Sequence, residues 1–138
     1  MCCEKDLKPF IPPVSRGRVL RCYDGDTIHI AAKLDLPKSE TYKFSVRLAG
    51  IDCPEMRSDN ENEKATAIKA GDELAGLING KIVELKDVSK EKYGRLLADV
   101  VLDGLSCSGY LVSKRLAVPY NGKTKTPPKD WAAFHAQG

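Results

Sequence analysis

No stretch of this chain comes near the roughly 18 consecutive apolar residues that a membrane-spanning helix needs. The first residues, MCCEKDLKPFIPP, bring acids early and no apolar run, so no secretory signal is read there. An intracellular, most simply cytoplasmic, chain is the expectation. Histidine is scarce: His29 and His135 are the only two, and neither lies in a motif, which argues against histidine-based acid–base chemistry. Cysteine lacks a pattern. Cys2, Cys3, Cys22, Cys53 and Cys107 are odd in number and form no CxxC pair, so neither a disulfide framework nor a cysteine zinc site is expected. Free thiols in a reducing compartment fit better, with the adjacent Cys2-Cys3 as a thin hint of lipidation. There is no strong excess of one charge either. A net charge of +3, from 22 basic and 19 acidic residues, does not by itself mark a nucleic-acid binder.

What is present is the substance of one ordinary globular domain, 138 residues with 42% hydrophobic and 30% charged content. The charge is unevenly spread. Residues 21–80 carry 8 Lys/Arg against 11 Asp/Glu, and residues 81–138 carry 10 against 6. An acidic half that could hold a cation precedes a basic half that could hold phosphates.

Residues 1–16 contain prolines, show no periodicity, and read as an N-terminal tail; a folded domain is expected over 17–138. Within it, RVLRCY, the Asp24-Gly25 turn and the alternating Thr27-Ile28-His29-Ile30 predict a hairpin. Residues 33–42 read as a loop and Lys43–Leu48 as a third strand. Helix is predicted from Ser58 to Asn79, with Ser58, Asp59 or Asn60 as cap, Gly80 past its end, and Ala67, Ile68, Leu74, Ala75, Leu77 and Ile78 toward a core. Lys81–Val88 and Arg95–Leu102 read as strands and Cys107–Leu116 as a second helix. From about residue 117 a basic loop with Lys123 and Lys125 leads to a short terminal segment around Trp131. The order β-β-β-α-β-β-α is that of a five-stranded OB-fold barrel, an α+β, mainly β fold with two to three packed helices.

Chemistry concentrates in three short runs. Arg47-Leu-Ala-Gly-Ile-Asp52-Cys53-Pro-Glu55 holds two carboxylates and an arginine, Asp24-Gly25-Asp26-Thr27 adds carboxylates, and Lys92-Tyr93-Gly94-Arg95 closes with a second arginine. Paired oxygen ligands suit a hard cation such as Ca²⁺ or Mg²⁺. Two guanidinium forks suit the non-bridging oxygens of a phosphate. Arg47 stands in the apolar run FSVRLAGI, where an unpartnered charge is costly, so it should have a partner. Together the three runs point to phosphodiester hydrolysis.

DGDT, RLAGIDCPE and KYGR, in that order, resemble the staphylococcal nuclease family over roughly residues 17–120. The resemblance implies an OB barrel and a Ca²⁺-dependent phosphodiesterase acting on DNA and RNA, with one bound ion, that breaks the 5′ P–O bond and leaves 3′-phosphate ends. It also implies site residues. Asp26 and Asp52, with the backbone carbonyl of Cys53, would hold the metal. Glu55 would act on the attacking water, Arg47 and Arg95 would clamp phosphate, and Lys92, Tyr93 and Tyr120 would hold substrate. In this run Cys53 departs from the family's usual Thr or Ala, which would bring a thiol close to the cation. Tyrosines at a cleft rim favour single strands. The rival reading is a non-catalytic OB-fold module that binds nucleic acid or protein, and a third is a small Ca²⁺-binding structural protein. Retention of all five of Asp26, Arg47, Asp52, Glu55 and Arg95 favours the enzyme. No obligate protein partner is evident from the residues, and a monomer is expected.

Overall fold

The structure is a computed structural model that describes residues 7, 8, 10–121 and 127–137. Cys2, Cys3, Lys123 and Lys125 lie outside the described residues. In chain order the elements are β1 (Arg16–Cys22), β2 (Thr27–Lys33), β3 (Thr41–Leu48), β4 (Ile51–Asp52), α1 (Glu61–Ile78), β5 (Ile82–Lys90), β6 (Leu96–Leu102), β7 (Leu105–Ser106), α2 (Cys107–Ser113), β8 (Val118–Pro119) and α3 (Trp131–Ala136).

Strict alternation builds the barrel wall. Ile28, Ile30 and Ala32 point inward from β2, and Val46 and Leu48 from β3, while Val83 and Leu85 of β5 and Leu96, Ala98 and Val100 of β6 complete the lining. Each of these larger side chains removed from water contributes about 1.5–3 kcal/mol. β1, β2 and β3 form an antiparallel meander, with Val19 opposite Ile30 and Ile30 opposite Phe44. β5 returns antiparallel to β1, and β6 pairs antiparallel with β5. The seam closes where β6 runs parallel to β3, Val46 opposite Leu96 and Leu48 opposite Ala98. The result is a closed five-stranded barrel, with β7 added beside β6 and three helices packed on it. The expected OB-type fold is the one observed.

α1 caps one end of the barrel. Asn60 is its cap, its side chain accepting from the Glu63 N–H, with Glu61 and Glu63 in the first turn facing the positive end of the helix dipole. The helix begins at Glu61 and not Ser58, because Ser58 Oγ is committed to the loop: it accepts from the Asn60 N–H and donates to Glu63. The buried face is Thr66, Ala67, Ala70, Leu74 and Ile78. Ile68, expected in the core, is half exposed, and Ala75 and Leu77 are only partly covered. Ala67, Leu74 and Ile78 are buried as expected, and Thr66 and Ala70 complete the stripe. α2 stops at Ser113, three residues short of the expected end, where Arg115 takes a positive φ of 56°. The expected tail is partly built into the fold. Val14 is buried, and the Leu85 N–H donates to the Ser15 carbonyl.

One contact ties the helix to the Asp24-Gly25 turn. A Cβ on Gly25 would stand 2.8 Å from the Ala70 Cβ and 3.0 Å from Cys53 Sγ, closer than packed carbons approach. Only glycine lets α1, the turn and the chain after β4 meet. Gly25→Ala is therefore expected to lower stability by about 1–3 kcal/mol. In an Ala70→Gly background the same change should cost much less, and denaturant melts of the four proteins measure the difference. Equal costs in both backgrounds would mean that Ala70 does not set the limit.

Candidate active site

The site is assembled from the turn between β1 and β2, the end of β3, β4 and the turn before β6. Asp26 is fixed by its backbone on both sides. Its N–H donates to Asp24 Oδ1 at 3.1 Å, and its carbonyl accepts from the Leu48 N–H at 2.8 Å. Asp52 is buried and belongs to β4, held opposite Val118 of β8. Between them comes Arg47, opposite Thr27 across the β2–β3 ladder. Arg47 Nη2 lies 3.6 Å from Asp26 Oδ2 and 3.9 Å from Asp52 Oδ1. Its Nη1 also donates to the Leu48 carbonyl and its Nη2 to the Ile51 carbonyl. The partner that the apolar setting of Arg47 requires is thus a pair of carboxylates and two carbonyls. The Tyr120 ring faces the same guanidinium, 5.6 Å from its carbon, while the Tyr120 N–H donates to the Gly50 carbonyl.

Arg95 approaches from the other side. Its Nη1 donates to Thr27 Oγ1 at 2.8 Å, and that hydroxyl donates to Asp26 Oδ1 at 3.1 Å. The two arginines are therefore joined through Thr27 and Asp26. Glu91 sets the position of Arg95, its carboxylate accepting from the Tyr93 and Arg95 N–H groups and from Arg95 Nη2. Burial alone would raise the pKa of Glu91, but the Arg95 hydrogen bonds and charge outweigh it and hold the carboxyl below its ordinary value. The side chain of Arg95 is 32% exposed against 11% for Arg47, the order expected from their sequence settings.

Asp26, Arg47, Asp52, Glu55 and Arg95 all line one cleft of about 270 Å³. Glu55 is exposed at its edge, and its N–H donates to Glu63 Oε2, so the loop after Pro54 is tied to the start of α1. Lys92 and Tyr93 do not line this cleft. Tyr93 is 77% exposed, carries the Lys92 ammonium over its ring at 5.3 Å, and lines a neighbouring groove that also touches Arg95.

Two residues behave differently from the sequence reading. Asp24, a turn residue by its sequence setting, lines the cleft, and burial first, then the Asp26 carboxylate beside it, push its pKa up to about 7. Cys53, expected to bring a thiol to the cation, is buried in the core cluster with its sulfur against Gly25. Burial first, and then the surrounding aspartates, drive its pKa far above the ordinary thiol value, so it stays protonated and serves as packing. Glu91, Tyr23 and Arg57 escaped the sequence reading altogether. For Glu91 a signal existed: it stands four residues before Arg95, the spacing of a local ion pair.

The donors fit a hard cation. Asp26 and Asp52 both lie within 3.9 Å of Arg47 Nη2 and line the same cleft, and the carbonyl of Cys53 follows in the chain, so the set is oxygen only. Among the described residues no three His, Cys, Asp or Glu side chains gather as a metal cage, so water and phosphate oxygens would have to complete the coordination.

A closed barrel of this topology with two arginines and two aspartates in one cleft defines a nuclease-like OB domain. The chain belongs to the staphylococcal nuclease homologue family, whose model matches residues 45–137. It is 30% identical over 112 residues to a protein of Escherichia coli described as an uncharacterized endonuclease, a match that covers 80% of this chain and 65% of the relative. It is 32% identical over 78 residues to staphylococcal-like nuclease CAN1 of Arabidopsis thaliana, covering 56% of this chain and 22% of that protein. The chain thus spans somewhat under two thirds of the bacterial relative and a fifth or so of the plant one. Among the described residues no helix is long and apolar enough to cross a membrane.

The raised Asp24 carboxyl has a consequence for stability. A group that keeps its proton in the fold up to about pH 7, but loses it near 3.8 when unfolded, favours the folded state fully below about pH 4 and forfeits that contribution as pH rises through 7. Asp24→Asn keeps the oxygen that accepts from Asp26 and removes the charge. With chelator present, its melting temperature should match the parent at pH 4 and exceed it by roughly 3–6 °C at pH 8. A variant that melts no higher at pH 8 would show that Asp24 is not strained by its charge.

Proposed function

We propose that this chain is a Ca²⁺-dependent nuclease that hydrolyses DNA and RNA, with single strands preferred, leaving 3′-phosphate ends. One observation carries the reading: the five residues Asp26, Arg47, Asp52, Glu55 and Arg95, drawn from four separate segments, line a single cleft. A binding module has no need to keep a buried arginine between two carboxylates, since the desolvation cost of such a cluster is high.

In this reading Asp26, Asp52 and the Cys53 carbonyl hold the ion, which when bound supplies a Lewis acid for a phosphoryl oxygen and a seat for water. Glu55 takes a proton from the attacking water, or orients it, at the exposed edge of the cleft. Arg47 and Arg95 meet the charge that grows on the non-bridging oxygens as phosphorus becomes five-coordinate. The water oxygen ends on phosphorus, the bond to the 5′ oxygen breaks, and a proton ends on that leaving oxygen. Lys92 and Tyr93 hold the neighbouring phosphate, and Tyr120 contributes a ring beside Arg47.

The decisive assay incubates single-stranded DNA, duplex DNA and RNA with the protein in Ca²⁺, Mg²⁺ or chelator, and identifies the product ends. Cleavage with Ca²⁺ that leaves 3′-phosphates and stops in chelator is expected, faster on single strands than on GC-rich duplex. Undiminished cleavage in chelator would overturn the metal assignment. Arg95→Ala should lower kcat by about 10²–10³ while its melting temperature stays within about 2 °C of the parent, because Thr27 keeps its bond to Asp26. Arg47→Ala should lose turnover and stability together, since it leaves the buried Asp52 and the half-buried Asp26 without their shared cation. An Arg95→Ala protein with near-parental turnover would return the reading to a binding module.

A further inference from the structure

The outer surface of the meander is charged in one sense only. None of β1, β2 and β3 contains an Asp or Glu, although the chain has 19 of them. The same strands present Arg16, Arg18, Arg21, Lys33 and Lys43 to solvent. A bulge in β1 between Val19 and Arg21 breaks the alternation, so Leu20 and Arg21 are both exposed and Arg21 comes to stand opposite His29. His29 in turn stands opposite Ser45, two residues along β3 from Lys43. Arg21 and Lys43 both act electrostatically on the His29 ring, and among the described residues neither forms an ion pair. The charge around His29 is therefore cationic, whereas Arg16, at the other end of β1, stands opposite Glu84 of β5.

Aromatic faces lie on it. Tyr23 is 49% exposed, stacks on His29 with ring centres 6.4 Å apart and planes 24° from parallel, and carries the Arg21 guanidinium at 5.5 Å. His29 Nδ1 is buried without a hydrogen-bond partner. Leaving a lone pair unsatisfied costs less than leaving an N–H so, which places the ring proton on Nε2 and makes that nitrogen the donor. Tyr23 also lines the cleft that holds Asp26, Arg47 and Arg95. The Tyr23–His29 stack is therefore continuous with the site.

We propose that Arg21, Tyr23, His29 and Lys43 form a second contact surface for the nucleic-acid strand, gripping the segment that leaves the cleft across the outer face of β1–β2–β3. The proposal rests on the nuclease reading for the identity of the strand. Arg21 and Lys43 neutralise backbone phosphates, and the half-exposed Tyr23 ring offers an unpaired base a stacking partner without regard to sequence. A duplex would keep its bases from that ring, so the surface adds to any preference for single strands. A strand long enough to reach the surface gains affinity that a dinucleotide cannot.

Fluorescence anisotropy with labelled dT12 in chelator tests this without cleavage. Arg21→Ala combined with Lys43→Ala is expected to raise Kd about tenfold and to reduce the slope of log Kd on log salt by about 1.4, at about 0.7 for each phosphate no longer neutralised. Tyr23→Ala should weaken dT12 about fivefold without altering that slope. Removing two lysines elsewhere, Lys64 on α1 and Lys86 on β5, should leave dT12 binding unchanged. With a dinucleotide the Arg21/Lys43 effect should disappear. If the double variant binds dT12 as tightly and with the same salt slope as the parent, the surface is refuted while the nuclease reading stands. If the parent binds dT12 with this dependence yet cleaves no substrate in any metal, the nuclease reading falls and the surface stands.

Discussion

A guanidinium enclosed in protein has to be answered by opposite charge and by acceptors, and that requirement on Arg47 organises the molecule. With its side chain only 11% exposed, Arg47 draws on Asp26, Asp52 and the carbonyls of Leu48 and Ile51 at once. Those four groups come from the β1–β2 turn, the end of β3 and the two-residue strand β4. Each is there because something else holds it: the Leu48 N–H on the Asp26 carbonyl, and β8 alongside β4. Stability does not explain the cluster, since buried ionic groups are weak contributors to it. What it fixes is geometry, with two carboxylates and a cation in one arrangement.

Much of this was legible in the chain. The arginine in FSVRLAGI announced a partner, and the alternation of Leu96, Ala98 and Val100 announced a barrel strand. The DG turn and the Asn60–Gly80 brackets of α1 gave the elements their ends. What stayed hidden depends on packing between distant residues. Ile68 has the right spacing for a core position, but it lies off the face on which Ala70 packs against Gly25 and is half exposed. The sulfur of Cys53 points into the same contact, which no local pattern reveals. Asp24 looks like a turn residue because it is one; only its burial beside Asp26 gives it an unusual proton affinity.

The family match begins at residue 45 and so takes in Arg47, Asp52, Glu55, Arg95 and Tyr120, but not Asp26. The fold supplies the missing carboxylate, since the β2–β3 register puts Thr27 opposite Arg47 and thereby Asp26 beside it. Thr27 then serves both arginines, as direct partner of Arg95 and as neighbour of the aspartate that faces Arg47. A short, buried hydroxyl suits that task, because it donates in one direction and accepts in the other.

The parallel seam between β3 and β6 has a temporal meaning. It joins Val46 to Leu96 and Leu48 to Ala98, so the two arginine-bearing segments meet only when some fifty residues of intervening chain have been ordered. The seam can form only after β6 has been made, later in the chain than the meander and α1. Pairings of such long range are slow because the entropy of closing the loop is lost before any contact offsets it. Until β6 has paired with β3, Arg95 is not brought to Thr27 and Asp26, so the cleft is complete only once this long-range pairing has formed.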